Sequence, residues 1–271
     1  MVLMIDKVLG NPLVGLSPWI VYSIVEGEGR LEVSAGLALA VAFVILLLNW
    51  SRGSKPKALE FADVAFFSIL MVVVALASDS THHWLELWGG EVANIVLAVF
   101  VVGSILVGHP FTLAYAKEDA PEEEWSDPHF IRANYIISGV WAVAFLIEAA
   151  SGFYGDAVLD NSNNIWTGWI IQTLPLIAAA QFTIWWPSRL EALGKQAGGE
   201  AVRVPPIEEL YVQMTPWIIV IGVLVLTVGG GPGWLGVAFI IVGSLLTRLF
   251  AARIKADEAK QAPELARAPS V

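Results

Sequence analysis

The chain has 271 residues, 56% of them hydrophobic and 15% charged, with a mean hydropathy of +0.68, against about 45–50% apolar and about 25% charged in soluble domains. That balance argues against water as the main solvent. The formal net charge of −10 sits mostly in a few loops and forms no basic stripe, which argues against a nucleic-acid partner. With no cysteine there is no disulfide frame, thiolate metal site or cysteine nucleophile.

From Met1 to Pro12 the only charges are Asp6 and Lys7, and no small-residue cleavage site follows the first apolar run, so that run is expected to stay in the protein. Eight apolar segments follow, at 12–26, 31–50, 58–78, 90–109, 131–153, 164–187, 214–229 and 233–252. Most are long enough to cross a hydrocarbon layer, which takes about 20 helical residues. Each is expected to be helical, because a helix satisfies its own peptide groups where lipid offers no partner. Segment 12–26 contains Pro12 and Pro18 and reads as a full span or as a tilted, partly re-entrant element. The expected fold is all-α, a polytopic membrane helix bundle of about eight spans with both ends inside. One transmembrane domain is drawn over 1–253. The tail 254–271, rich in Ala, Pro and charge, begins at most as a helix and ends disordered.

Basic residues in short loops stay on the cytoplasmic side. Eight spans starting inside place Lys7, Arg52, Lys55, Lys57, Lys117, Arg132, Arg189, Lys195, Arg203 and the cations from Arg248 to Arg267 on that side. Of the 15 basic residues only Arg30 falls outside. Tryptophans such as Trp50, Trp84, Trp185, Trp186 and Trp217 lie near segment ends, where amphipathic rings prefer the headgroup layer. The turn 229–233, Gly-Gly-Gly-Pro-Gly, makes the last two spans antiparallel neighbours. Close helix contacts are expected at small residues, Ala38 with Ala42 and Gly103 with Ala98.

Ionisable groups inside spans are the candidates for chemistry, because charge in the bilayer is costly and is kept for a reason. Asp63 lies one to two turns into the third span, Glu148 lies deep in the fifth, and His109 closes the fourth before Pro110. Glu148 reads either as a proton or cation relay or as a protonated or hydrogen-bonded carboxyl facing a neighbouring helix; the plain reading of Asp63 is an acid that reaches cytoplasmic water, and that of His109 is a cap on helix-end carbonyls. Asn94, Gln172 and Gln181 could line a polar path with them or serve as helix glue. Glu60 and Glu91 lie near span ends, within reach of the headgroups. The segment from Asp79 through His82 and His83 to Glu86 has metal-capable groups at permissive helical spacing, but it lacks the pattern of a zinc enzyme and reads as a solvated interfacial helix. No metal or cofactor is assigned.

The connection 109–134 is the longest polar loop. Phe111, Leu113, Tyr115 and Trp125 among clustered acids read as an interfacial loop on the bilayer, with Lys117, Arg132, Arg52 or a partner meeting the acids.

In collinear order, Leu16-Ser17-Pro18, Asn49-Trp50 before a basic loop, His83-Trp84, His109-Pro110-Phe111, Trp125, Asn134, the run 140–145 (Val-Trp-Ala-Val-Ala-Phe) and Asn164-Ile165-Trp166 resemble the intracellular septation protein A (YciB-like) family. The resemblance covers about residues 10–190. Spans 214–252 extend past it, and His109 stands where the family has a basic residue. It implies a bacterial cytoplasmic (inner) membrane protein of envelope maintenance with partners in cell-division or cell-wall machinery, and it brings no catalytic residues.

The leading expectation is therefore a non-catalytic interaction or scaffold protein, with Pro110, Phe111, Tyr115, Trp125 and Asn134 as its partner loop. A transporter or channel for protons, small solutes or lipid, using Asp63, Glu148, His109, Asn94 and Gln172, is the alternative. An intramembrane enzyme with an outer His82/His83 metal site is the third.

Overall fold

The computed structural model describes residues 10–27, 29–161 and 164–267, without the side chains of 263–267. Lys7, Glu28 and the tail beyond Arg267 lie outside it. Ten helices and no strand occur among the described residues: α1 (Pro12–Gly15), α2 (Ser17–Val25), α3 (Leu31–Ser51), α4 (Ala58–Leu76), α5 (Asp79–Leu106), α6 (Phe111–Asp119), α7 (Pro128–Ala157), α8 (Ile171–Ala197), α9 (Ile207–Thr227) and α10 (Gly233–Arg267). Seven of these are long and apolar enough to cross a membrane, and large apolar residues such as Phe43, Leu47, Ile69 and Val99 remain exposed on them. Hydrocarbon is the solvent that suits such faces, so the chain is a multi-pass helical membrane protein. Where the sequence drew one domain over 1–253, the chain divides into two compact units, Met1–Phe153 and Tyr154–Val271.

In the first unit α3 buries one stripe, Leu31, Ser34, Ala35, Ala38, Ala42, Ile45 and Asn49. Ala38 and Ala42 are buried on this stripe, whereas Gly103 faces open space. The buried face of α4 carries Leu59, Glu60, Asp63, Phe67, Leu70 and Val74. Segment 12–26 forms two short helices that break at Leu16, with Pro12 and Pro18 in their first turns, where a missing N–H costs nothing. They run parallel to α4. Gly15 packs by Leu59, Trp19 bonds Asp63, and the Tyr22 ring lies 5.6 Å from that of Phe67. The stretch from Pro12 to Val25, helical except at Leu16, extends about 21 Å, less than the roughly 30 Å of a full hydrocarbon core. This element is thus an interrupted, shortened segment beside a full-length helix, and it is not among the seven helices long and apolar enough to cross.

In the second unit a π-helical turn, Ile165–Ile170, leads into α8, and Asn164 caps it by accepting from the backbone N–H groups of Trp166 and Thr167. Helices α9 and α10 are antiparallel neighbours, as the glycine turn required. Gly222 and Gly236 face one another so closely that a methyl group on either would stand 2.6–2.7 Å from the other's carbonyl oxygen. Thr247 donates to Thr215 at 2.6 Å, and the Tyr211 and Phe250 rings lie 5.5 Å apart. Several boundaries differ from the sequence reading: α5 begins at Asp79 where that reading starts the span at Gly90, and α9 begins at Ile207 where it starts the span at Met214. Helix α8 runs ten residues beyond 187 because Pro187 sits inside it with the following turns intact. The segment 254–267, expected to be disordered, is the continuation of α10. Its Ala, Glu, Lys and Gln residues are good helix formers, Gln261 bonds Asp257 at 2.9 Å, and Glu258 pairs with Arg203 at 3.5 Å.

Candidate functional site

At the end of the first unit where α3 turns into α4, the residues at 57, 60 and 63 fall on one face of α4 because three-residue steps keep a helical face. Lys57 is 3% exposed, Glu60 1% and Asp63 1%. The Glu60 carboxylate caps its own helix by accepting from the Lys57 backbone N–H at 3.3 Å, receives the Asn49 amide at 2.6 Å, and lies 3.3 Å from the Lys57 ammonium. Arg52 donates to the Asn49 carbonyl oxygen at 3.0 Å. Asp63, one turn further in, accepts from the Trp19 indole N–H at 2.6 Å, and Phe66 and Phe67 enclose the indole.

Helix α6 closes this network. Lys57 also reaches Glu118 at 2.8 Å, and its ammonium stands 4.8 Å from the centre of the Tyr115 ring. The Tyr115 hydroxyl enters a niche left by Gly15. Burial, reinforced by Glu60, Asp63 and Glu118, pushes its ionisation well above the usual tyrosine range, so it stays neutral. On the other side of α6, Thr112 donates to the Asn134 carbonyl at 3.1 Å and shares a 2.8 Å hydrogen bond with Ser138, while the Phe111 N–H donates to Ser104.

A second polar group gathers toward the opposite end of the unit. Glu148 is 7% exposed, with Glu91 and Glu26 in electrostatic reach. Glycines make room for these acids, since the Glu91 carboxylate lies against Gly152 and that of Glu26 against Gly90. Near this end His82 bonds Glu32 at 2.7 Å, and Glu86 accepts from the Gly29 N–H at 3.0 Å.

The structure therefore separates the residues singled out in the sequence. Asp63 and Glu148 belong to different polar groups. His109 is exposed, and its ring lies 3.1 Å from the Val107 carbonyl at the end of α5. Asn94 is half-buried on α5, and Gln172 and Gln181 lie in the second unit. Of the loop residues, Pro110, Phe111, Tyr115 and Asn134 are buried and hold α6 in place, so they are not a free surface. Trp125 donates to the Ala120 carbonyl at 3.1 Å and lies under Lys117, and beside it the 3₁₀ turn Glu122–Glu124 is exposed.

Sequence reasoning missed Lys57 and Glu60 as buried partners. The signal was present in the Lys57, Glu60, Asp63 spacing, but proximity to a span end suggested headgroup contact.

The fold and these networks define a multi-pass helical membrane protein whose first unit buries Lys57, Glu60, Asp63, Glu91 and Glu148. Comparison with models of protein families, with curated proteins and with solved structures gave no match.

Proposed function

We propose that this protein is a non-catalytic interaction or scaffold protein of the bacterial cytoplasmic membrane, with partners in septation or cell-wall machinery, and that the exposed turn 121–126 within segment 109–134 is the surface it offers. The partner class rests on the resemblance to the intracellular septation protein A (YciB-like) family. The observation that carries the scaffold reading is the buried Lys57 clasp, which joins Glu60 of α4 to Glu118 of α6. Burying the Lys57 ammonium with the Glu60 carboxylate is a poor way to gain stability and a good way to fix one geometry. Here the geometry fixed is that of α6, which sets the exposed turn Glu122–Glu124 and Trp125 on a rigid base. Co-purification of the tagged full chain from its native membrane tests this. Scrambling Pro121–Ser126 removes a reproducible partner while the protein stays folded, and Asp63→Asn and Glu148→Gln leave the partner bound. Association that survives the scramble overturns the proposal.

One observation favours transport as a second reading: Glu91 and Glu148 are both buried, with Glu26 nearby, at one end of the unit. Reconstituted vesicles with an internal pH dye decide it. This reading requires a proton or ion flux that Glu148→Gln abolishes, and silent vesicles dispose of it.

A further inference from the structure

In the second unit, where α8 gives way to α9, a cleft of about 350 Å³ is lined by charged groups from three helices: Arg189 of α8, Glu208 of α9 and Asp257 of α10. Its volume is at the lower end of small-ligand sites, which run about 300–1,000 Å³. Gln261, Pro206 and Ile207 complete the wall used here.

The wall is tied down. Arg189 donates to the Pro205 carbonyl and lies over the Trp185 ring at 5.5 Å, and the Trp185 indole donates to the Pro206 carbonyl at 3.1 Å. A guanidinium has five N–H donors in a fixed fork, so one bond to a carbonyl leaves capacity for an oxyanion. Asp257 accepts from Gln261 through Oδ2. Arg253 approaches Glu208 only to 3.9 Å, and the neighbouring Arg203 is taken by Glu209 at 2.6 Å and Glu258 at 3.5 Å. The cleft thus sets Arg189 opposite Asp257 and Glu208, of which Glu208 also has Arg253 at 3.9 Å. Trp185, which backs Arg189, is itself buried.

We propose that this cleft binds a phosphoethanolamine group, with the phosphate on Arg189 and the primary ammonium on Asp257 and Glu208. A headgroup that is only anionic could use Arg189 but would bring negative charge toward Asp257 and Glu208 and offer neither a donor. A choline group has no N–H to donate to either carboxylate. The primary ammonium has three, and charge-assisted bonds of this kind are the strong ones.

The test is native mass spectrometry of the full chain released from micelles containing equal amounts of phosphatidylethanolamine, phosphatidylcholine and phosphatidylglycerol, alongside equilibrium dialysis against soluble O-phosphoethanolamine. Selective retention of phosphatidylethanolamine identifies the membrane as the source. Binding of O-phosphoethanolamine without retained lipid identifies a soluble ligand of the same chemistry. Arg189→Gln and the isosteric Asp257→Asn each weaken binding about tenfold, the effect of losing one charge-assisted bond. Lys195→Gln, on the same helix and paired only with exposed Glu191 in the structure, serves as the control and does not. Equal retention of the three lipids with no binding of O-phosphoethanolamine overturns the site, as does binding indifferent to both cleft substitutions.

Discussion

The indole nitrogen of Trp19 lies 2.6 Å from Oδ1 of Asp63, and this bond joins the interrupted segment 12–25 to the α4 helix beside it. A carboxylate 1% exposed needs such a donor, since a buried polar group without one costs roughly 1–3 kcal/mol.

Trp19→Phe keeps an aromatic ring against Phe66 and Phe67 and removes the donor. It is expected to destabilise the protein by about 1–3 kcal/mol, read as a lower midpoint of thermal unfolding in detergent. Asp63→Asn retains an acceptor oxygen for the indole and should melt near the parent. An unchanged midpoint for Trp19→Phe would show that the bond carries no stability.

Lys57→Met leaves Glu60 and Glu118 without their shared cation. Removing one partner of a buried ion pair costs about 3–5 kcal/mol, and α6 should loosen with it. Limited proteolysis between Ala120 and Asp127 should become faster. Adding Glu60→Gln, which removes the stranded charge while keeping an acceptor for Asn49, should restore part of the loss.

The niche at Gly15 admits the Tyr115 hydroxyl and has no room for a methyl group. Gly15→Ala should cost about 1–3 kcal/mol, the usual range for overpacking. Tyr115→Phe should be nearly neutral alone, because that hydroxyl has no hydrogen-bond partner among the described residues. It should also relieve part of the Gly15→Ala penalty, and a purely additive double variant would contradict the niche.

Helices α9 and α10 touch backbone to backbone at Gly222 and Gly236. Cysteines introduced as Thr215→Cys and Thr247→Cys, whose hydroxyls are 2.6 Å apart in the parent, should oxidise readily to an intramolecular disulfide. Gly222→Leu should force the helices apart and slow that oxidation. A rate unaffected by the leucine would mean that the pair does not meet there.

Sidedness can be read by labelling. Ser51→Cys and Ala259→Cys, both at exposed positions, should react with an impermeant maleimide only after the inner face is opened. Labelling of one from each side would break the arrangement inferred from the basic residues.

The sequence by itself determined the solvent and the class. Long apolar runs can hide their peptide groups in lipid only as helices, and this holds whatever their neighbours are. The glycine turn at 229–233 likewise needed no tertiary information, because so short a link leaves α9 and α10 no course but side by side. Only the tertiary structure decided which charged groups were inside. Lys57 and Glu60 sit at a span end, where sequence allows escape to the headgroups; they are buried because α6 folds back and brings Glu118 and the Tyr115 ring over them. Phe111, Tyr115 and Asn134 changed from candidate surface to core for the same reason. The depth of a side chain in a membrane protein depends on what covers its end of the helix, and the chain that covers this one lies more than fifty residues away in sequence.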